Sequence, residues 1–269
     1  MPLFRPRPTA TPAPIRVHGH FGELLQGRLG PTGPMAVVSL PCPALWVQLD
    51  GLDAGLLGPR RLEILCRHLG LPQPLLIPSI AATMPPGGGA GSSTAALVAI
   101  ARFLGFDGTP AELALACAAA EGASDPLMMP DAERLLFAPR QGRVLEDLPA
   151  LPPFTVVGGF YGEPQRTDPD DEAFPDIDDL VEQWRLGPGL ARMAELTSES
   201  ARRTLEKRGP EGDPTADLAQ ELGAAGWLIA HTGSARGLIF PRGEVPPGAE
   251  EVLREARMIG VIRFDGGGR

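Results

Sequence analysis

A run of glycines placed directly before an apolar helical segment constrains the fold of this chain more than any other feature. Residues 85–96 read PPGGGAGSSTAA. Glycine allows positive φ angles and lets backbone N–H groups approach an anion closely. Ser92–Leu104 carries apolar residues at helical spacing, and the first turn of a helix offers free N–H groups and the positive end of the helix dipole. The sequence therefore predicts a phosphate-binding site where the glycines meet the helix.

Several common phosphate-binding motifs do not match this segment. A P-loop requires a lysine after its last glycine, and protein kinases require a lysine on a strand, but the chain has a single lysine, Lys207. A dinucleotide-binding loop requires a third glycine, and Thr94 stands at that position. The remaining alternative, a flexible linker, is disfavoured because Ser92 and Ser93 directly adjoin a periodic helical segment.

Composition and charge exclude several classes of protein. The net charge is −9, with 24 basic and 33 acidic side chains, so we expect no nucleic-acid partner. No apolar run approaches the ~20 residues of a membrane span, and the proline-rich segment Met1–Pro14 lacks the apolar stretch of a signal peptide. Cys42, Cys66 and Cys117 have no C-x-x-C spacing, as expected of reduced thiols. We therefore expect a cytoplasmic protein without membrane association and with a frayed N-terminal segment.

The first half of the chain is predicted to contain short strands, the glycine-rich loop and two helices. The second of these helices begins with Thr109-Pro-Ala-Glu112, a capping box with proline at the first helical position, and ends at Gly122. The predicted strands are Ile15–Val17, Met35–Ser39, Ala44–Leu49 and Leu62–Cys66.

The second half alternates strands and helices in the order of a ferredoxin-like domain. An acidic loop, Glu163–Asp179, separates its first strand from its helices. We place a boundary near residue 150, which gives two domains, residues 1–150 and 151–269, of an α+β protein. The predicted elements are a strand at Phe154–Phe160, helices from about Leu180 to Lys207 and from Asp213 to Gly223, strands at Gly226–His231 and Gly237–Phe240, a helix at Ala249–Arg257 and a strand at Gly260–Phe264.

The glycine-rich loop resembles the second motif of the GHMP kinases, the superfamily of galacto-, homoserine, mevalonate and phosphomevalonate kinases. The match is the pattern P-x-x-x-G-x-G-S-S-x-A at residues 85–95. The resemblance implies an N-terminal ATP-binding domain like the second domain of ribosomal protein S5, followed by a ferredoxin-like C-terminal domain. The element order of the second half agrees with this independently.

Three further segments are similar to the L-threonine kinase branch of that superfamily. Gly19–Gly27 reads GHFGELLQG, Val38–Pro43 reads VSLPCP and Ala230–Leu238 reads AHTGSARGL. They resemble the branch's C-G-E-L-[IV]-Q-G, S-x-P and A-H-S-G-T-x-x-G-L segments, in the same order. The resemblance implies an enzyme that uses ATP to phosphorylate the hydroxyl group of free L-threonine. Its product, O-phospho-L-threonine, supplies the aminopropanol linker of cobalamin, in cobalamin-synthesis and propanediol-utilisation settings.

The resemblance also implies ATP as co-substrate and Mg²⁺ as cofactor. A hydroxyl group at the end of the loop is a hard oxygen ligand of the kind that Mg²⁺ prefers, and Ser93 matches the magnesium serine of the motif. Either Ser92 or Ser93 could instead cap the helix, and the division of these roles stays open. The residues expected to bind ATP are Pro85, Gly87, Gly88, Gly89, Ala90, Gly91, Ser92, Ser93 and Thr94.

An acidic pair follows the second helix. Glu121 ends that helix, and Asp125 precedes Pro126, which disfavours helix at Asp125. Glu121 would complete the Mg²⁺ shell, while Asp125, as the catalytic residue, would orient the hydroxyl group and accept its proton. The branch has such a pair in the form E-P-[ST]-D, whereas this chain reads EGASD from Glu121. The alternative is a solvated helix end.

The acceptor side needs groups for both charges of an amino acid. A carboxylate would bind its ammonium group, and an arginine or backbone N–H groups would bind its carboxylate. Glu23 and Gln26 are candidates for substrate binding, as are His231, Thr232 and Gly233 from the second half. The alternatives are an ordinary exposed acid at Glu23 and a strand-end histidine at His231.

Two other groups are not expected to bind ligands. His18 and His20 have i, i+2 spacing without a third metal ligand nearby, and the helix dipole explains the basic residues between 202 and 208. Two rival functions are another small-alcohol kinase of the superfamily, acting on homoserine or an isoprenoid precursor, and a non-catalytic nucleotide-binding protein of the same fold. A usable Asp125 separates the kinases from the last class.

Overall fold

A computed structural model describes residues 14–52, 57–75, 78–165, 168 and 170–268. Residues 1–13, which belong to the segment predicted to be frayed, lie outside the described residues. Within these ranges no helix combines the length and the apolar character needed to cross a bilayer. The strands are β1 (Arg16–Arg28), β2 (Met35–Leu52), β3 (Pro78–Ala82), β4 (Leu135–Ala138), β5 (Arg143–Asp147), β6 (Phe154–Phe160), β7 (Gly226–Ile229), β8 (Ala235–Pro241) and β9 (Ile259–Gly266). The α-helices are α1 (Pro59–Leu69), α2 (Ser92–Phe103), α3 (Pro110–Glu121), α4 (Asp178–Trp184), α5 (Leu190–Arg208), α6 (Thr215–Glu221) and α7 (Ala249–Glu255).

The strands pair in one antiparallel sheet with the order β5-β4-β2-β1-β7-β8-β6-β9, and β3 lies beside β2. The last four strands of the chain have the order β7-β8-β6-β9, which is the arrangement of a ferredoxin-like domain. The predicted α+β fold class is therefore confirmed. Glu23 of β1 pairs with Ile229 of β7, so strands from both sides of residue 150 share the sheet. The division into domains at that residue stays a prediction.

The pairing of β1 with β2 is irregular next to the cavity described below. Its register shifts between His18 and Gly19 and again between His20 and Glu23. In a regular strand, side chains two residues apart point to the same face. Here His18 is exposed whereas His20 is buried, because bulges of this kind redirect the side chains around them.

One of the strands predicted in the first half is wrong. Leu62–Cys66 lies within α1, and its buried side chains are Leu62, Leu65 and Cys66. These positions are three and four residues apart, which is the spacing of one helix face. A five-residue window is too short to distinguish this spacing from a buried strand.

The two helices predicted after the glycine-rich loop are confirmed. The side chain of Thr109 accepts a hydrogen bond from the backbone N–H of Glu112, and the Glu112 carboxylate accepts one from the N–H of Thr109. This is the predicted capping box. Gly122 ends α3 with a φ of 83°, a conformation that favours glycine.

Phe21 connects the two halves of the structure. Its ring on β1 is fully buried, and it makes edge-on contacts with Phe160 of β6 and Phe264 of β9, with ring centroids 5.7 Å apart in both cases. A Cβ atom at Gly158 would lie 2.5 Å from Cε1 of this ring, so the glycine makes room for it. His20 and Glu23, which lie within two residues of Phe21 in the chain, are thereby held at the junction of the two halves.

Replacement of Phe21 tests this connection. We expect Phe21→Ala to lower the free energy of unfolding by about 3–5 kcal/mol, because it removes a fully buried ring and leaves a cavity. Urea unfolding followed by circular dichroism measures the change. The control is Phe103→Ala, since Phe103 is 50% exposed and its loss is expected to change stability by less than about 0.5 kcal/mol. Equal effects of the two variants would contradict the assigned role of Phe21.

Candidate functional site

The glycine-rich loop, the start of α2, the end of α3 and the β7–β8 turn surround a cavity of about 200 Å³. Both halves of the chain contribute to its wall, so the cavity exists only in the folded protein. Most of the residues that the sequence singles out line it. They are Glu23, Gly87, Gly89, Ala90, Gly91, Ser92, Ser93, Thr94, Glu121, Asp125, His231 and Thr232.

The backbone of the loop has the conformation that its glycines allow. Gly87, Gly89 and Gly91 have φ angles of 75°, 73° and 74°, which L side chains rarely adopt. Gly91 is the N-cap residue of α2, and no side chain caps this helix. Neither Ser92 nor Ser93 therefore takes the capping role considered from the sequence. An uncapped helix N-terminus in a cavity wall is suited to bind an anion.

The β7–β8 turn holds the loop in place through backbone contacts. The carbonyl oxygen of Gly88 accepts hydrogen bonds from the N–H groups of Ser234 at 3.1 Å and Ala235 at 2.9 Å. A Cβ atom at Gly89 would lie 2.2 Å from the carbonyl oxygen of Thr232, and one at Gly233 would lie 2.4 Å from the nitrogen of Gly89. The two backbones pack too closely for side chains, which explains the glycines on both sides.

Ser93 and Glu121, the two expected magnesium ligands, contact each other. The Ser93 hydroxyl donates a hydrogen bond to Oε1 of Glu121, and Nη1 of Arg61 lies 3.1 Å from Ser93 Oγ and 3.3 Å from Glu121 Oε1. Burial raises the pKa of Glu121 to about 7, against the opposing effects of the Ser93 hydroxyl and Arg61. A buried carboxylate next to a hydroxyl fits a Mg²⁺ ion that takes its other ligands from phosphates and water. Within the described ranges, no group of three or more His, Cys, Asp or Glu side chains is arranged to hold a metal ion.

Asp125, His20 and Glu23 form a buried charged cluster in the cavity wall. Nε2 of His20 lies 3.4 Å from Oδ1 of Asp125, and its Nδ1 lies 3.5 Å from Oε1 of Glu23. Burial raises the pKa of Glu23 to about 7. Burial also disfavours the charge on Asp125, yet His20 holds the pKa of this carboxyl below its ordinary value. Both side chains line the cavity, but Asp125 is 30% exposed whereas His20 is 3% exposed, so Asp125 is the more accessible member of this pair.

A further part of the wall is aromatic and positively charged. The rings of Phe174 and His231 are stacked, with centroids 4.3 Å apart and planes at 9°. The guanidinium carbon of Arg208 lies 4.1 Å from the Phe174 centroid, and that of Arg140 lies 6.0 Å from it. Burial, and then the charges of Arg208 and Arg140, lower the pKa of His231 to about 3, so this histidine is neutral. Arg140, Phe174 and His231 all line the cavity.

Four of the expected site residues lie outside the cavity lining. Gln26 is fully buried, its N–H donates to Ser200 Oγ at 2.9 Å, and its Nε2 donates to the carbonyl oxygen of Ile229 at 3.2 Å. The structure thus gives Gln26 a position that ties β1 to α5 and β7, and its part in substrate binding stays a prediction. Pro85, Gly88 and Gly233 belong to the loop or pack against it without lining the cavity. The carbonyl oxygen of Pro85 accepts a hydrogen bond from the N–H of Gly88 at 3.0 Å.

Sequence reasoning missed further residues that line the cavity, among them His20, Arg61, Arg140 and Phe174. Three of these were missed for local reasons. His20 was considered only as a metal ligand. Arg61 adjoins the wrongly predicted strand, and Phe174 lies in the acidic loop. One signal was present in the sequence. If the predicted anion site exists in a chain with one lysine, its positive charge has to come from arginine or histidine, which directs attention to those residues near the predicted site.

No protein-family model matches this sequence, and no curated protein matches it. Solved structures do match. The mevalonate kinase of Methanococcus jannaschii has a TM-score of 0.60 at 12% identity, over 97% of this chain and 99% of that one. Homoserine kinase from Cytophaga hutchinsonii has a TM-score of 0.60 at 15% identity, over 98% and 97% of the two chains. A phosphotransferase related to the CoA biosynthesis pathway has a TM-score of 0.61 at 14% identity, over 94% and 95%.

The chain has the GHMP kinase fold. The structural likeness covers 94–98% of this chain. At these identities the likeness concerns the backbone alone. The chemistry of the site therefore depends on the side chains of this chain that line the cavity.

Replacement of Gly89 tests the anion-binding role of the loop. We expect Gly89→Ala to weaken pyrophosphate binding by at least ~10-fold, because the new Cβ atom would meet the carbonyl oxygen of Thr232 and displace the loop amides. Isothermal titration calorimetry measures the affinity. Gly105→Ala is the matched control, since Gly105 also has a positive φ of 88° but has open space around its Cα. Unchanged affinity in Gly89→Ala would exclude the loop as the anion site.

Proposed function

We propose that this protein is an ATP- and Mg²⁺-dependent kinase that transfers the γ-phosphoryl group to the hydroxyl group of free L-threonine. The observation that carries the proposal is the position of Asp125 against the glycine-rich loop. A Cβ atom at Gly91 would lie 3.1 Å from Oδ2 of Asp125, so a carboxylate with a lowered pKa stands directly beside the expected phosphate cradle. A phosphoryl acceptor needs such a group next to the phosphates.

The phosphate end of the cavity supports ATP binding. The loop amides and the uncapped N-terminus of α2 suit the phosphates, and Arg61, at the edge of the same cavity, adds a positive charge. Ser93 and Glu121 would hold Mg²⁺, which when bound neutralises charge on the phosphates and orients them. Phosphoryl transfer depends mainly on such positioning and charge neutralisation.

Asp125 is suited to the acceptor step. The threonine hydroxyl oxygen forms a bond to the γ-phosphorus while the bond from that phosphorus to the bridging oxygen of ADP breaks. Asp125 orients the hydroxyl group and accepts its proton on Oδ2, while Oδ1 faces His20. The N–H of Asp125 donates to Thr94 Oγ1 at 3.3 Å, which ties the carboxylate to the first turn of α2.

The charges in the cavity wall favour an amino acid as the acceptor. Glu23 supplies a carboxylate for an ammonium group, and Arg140 supplies a guanidinium for a carboxylate. One of the solved structures with this fold is described as a homoserine kinase, which keeps homoserine as the second candidate. The motifs near Glu23 and His231 favour L-threonine, and with it a role in cobalamin synthesis in the cytoplasm.

A coupled assay of ADP release with four acceptors tests the proposal. L-Threonine, L-homoserine, L-serine and mevalonate are compared in the presence of Mg²⁺ and ATP, and mass spectrometry identifies the phosphorylated product. We expect the highest kcat/KM with L-threonine. A homoserine rate equal to or above the threonine rate would overturn the threonine assignment and leave the kinase. No ADP release with any acceptor would point to the non-catalytic class.

Asp125→Asn removes the group that accepts the proton. We expect kcat to fall by at least ~10²-fold, with the KM for ATP changed by less than about 3-fold, because Asp125 acts on the acceptor. Steady-state kinetics measure both quantities. Asp107→Asn is the control, since Asp107 is an exposed carboxylate before α3. An unchanged kcat in Asp125→Asn would remove Asp125 from the reaction.

Arg140→Met tests the proposed contact with the substrate carboxylate. We expect the KM for L-threonine to rise by about 10-fold or more, because a hydrogen-bonded contact between charged groups is lost, while kcat changes little. Arg143→Met is the matched control, because Arg143 is exposed and its Nε donates to Gln141 Oε1 at 2.7 Å, away from the cavity lining. Equal KM values in the two variants would contradict the role of Arg140.

A further inference from the structure

The ring of His20 meets hydrogen-bond acceptors at both of its nitrogens. Nδ1 lies 3.3 Å from the carbonyl oxygen of Gly22, and Nε2 lies 3.4 Å from Oδ1 of Asp125. A carbonyl oxygen and an ionised carboxylate accept hydrogen bonds and cannot donate them. A neutral imidazole carries only one N–H, so it would turn the lone pair of its other nitrogen toward an acceptor. Only the imidazolium, with an N–H at each position, fits both contacts.

The charges around His20 agree with this protonation state. Asp125 comes from the loop after α3, and Glu23 lies on the same strand, with its Oε1 3.5 Å from Nδ1. Burial by itself would lower the pKa of His20, but Asp125, followed by Glu23, outweighs burial and raises it to about 9. A second cavity of about 180 Å³ also borders His20, and the other titratable side chains that line it are His18, Asp131 and Glu133.

The His20–Asp125 pair lies directly against the phosphate loop. A Cβ atom at Gly91 would lie 2.9 Å from Cδ2 of His20 and 3.1 Å from Oδ2 of Asp125. The N–H of His20 also donates to the carbonyl oxygen of Ala90 at 3.2 Å. A cation buried at this point acts through protein of low dielectric constant on both the carboxylate and the transferred phosphoryl group. The one lysine of the chain, Lys207, lies near the end of α5 instead.

We propose that His20 is a positioning residue whose imidazolium keeps Asp125 ionised and fixes its Oδ1, so that Oδ2 is directed to the acceptor hydroxyl group. The proposal rests on the proposed role of Asp125 in phosphoryl transfer. The positive charge beside Asp125 then belongs to a histidine, a side chain that can lose its proton. The same cation stabilises the negative charge of the transferred phosphoryl group, so activity should be lost as His20 gives up its proton in alkaline solution.

The protonation state of His20 can be measured without any enzymatic activity. Two-dimensional ¹H–¹⁵N spectra of histidine rings in the full chain distinguish imidazolium from both neutral tautomers, and single His→Gln variants assign the four histidines. We expect both ring nitrogens of His20 to be protonated at pH 7.5, with a midpoint at about 9. Asp125→Asn should move this midpoint down, because the principal stabilising charge is removed. A neutral His20 at pH 7.5 in the unmodified protein overturns the proposal.

Kinetics of three variants then separate a positioning role from a merely structural one. We expect His20→Gln to lower kcat by at least ~10-fold with the KM for ATP nearly unchanged, and to move the acidic limb of the kcat–pH profile upward, because Asp125 loses its cation. His20→Lys keeps a positive charge and should recover part of kcat, with the alkaline limb moved toward the higher pKa of lysine. His18→Gln, on the exposed side of the same strand, should behave like the unmodified protein.

The results distinguish the two proposals from each other. A charged His20 in the spectra together with no phosphoryl transfer to any acceptor would refute the proposed function but leave the His20–Asp125 pair established. A charged His20 with an unchanged kcat–pH profile in His20→Gln would refute the positioning role and leave the kinase intact. If His20→Gln does not fold, the Asp125→Asn titration and the His20→Lys profile still decide the question.

Discussion

The hydrogen bonds from the N–H groups of Ser234 and Ala235 to the carbonyl oxygen of Gly88 are the contact on which the site depends. They join the β7–β8 turn, in the second half of the chain, to the glycine-rich loop in the first half. The backbones approach so closely that glycine is required at 89 and 233. This contact sets the position of the loop amides. It also places His231 and Thr232 in the cavity wall, next to residues from the first half of the chain.

Buried charge is the second constraint on this part of the molecule, because a charge removed from water is tolerated only with a partner. The structure uses such pairs in two ways. Arg236 and Asp213 are both almost fully buried, with Nε and Oδ2 2.6 Å apart, and Asp213 also accepts the N–H of Thr215 at the start of α6. That pair has all its contacts within the protein and holds β8 to α6. The pair of His20 and Asp125 instead lies in the cavity wall and leaves the Asp125 side chain 30% exposed.

Local signals in the sequence were sufficient for much of the fold. The Thr109 capping box, the helix after the loop and the element order from Phe154 onward all depend on contacts between residues close in the chain. The predicted strand at Leu62–Cys66 is wrong because a short apolar run has no length over which to show its period. β2 was predicted as two strands because the prolines at 41 and 43 lie within it, where its pairing with β1 is irregular.

The sequence by itself determined the glycine-rich loop, the acidic residues at and after the end of α3 and the ferredoxin-like order of the second half, because glycine conformation, helix capping and apolar periodicity act over a few residues. Only the tertiary structure decided which side chains meet in the cavity. His20 acquires its partners Asp125 and Glu23 through a bulged strand, and Arg140, Phe174 and His231 come together from three distant segments. Such pairings depend on the register of strands and on buried electrostatics, which involve residues far apart in the chain and leave no periodic pattern in it.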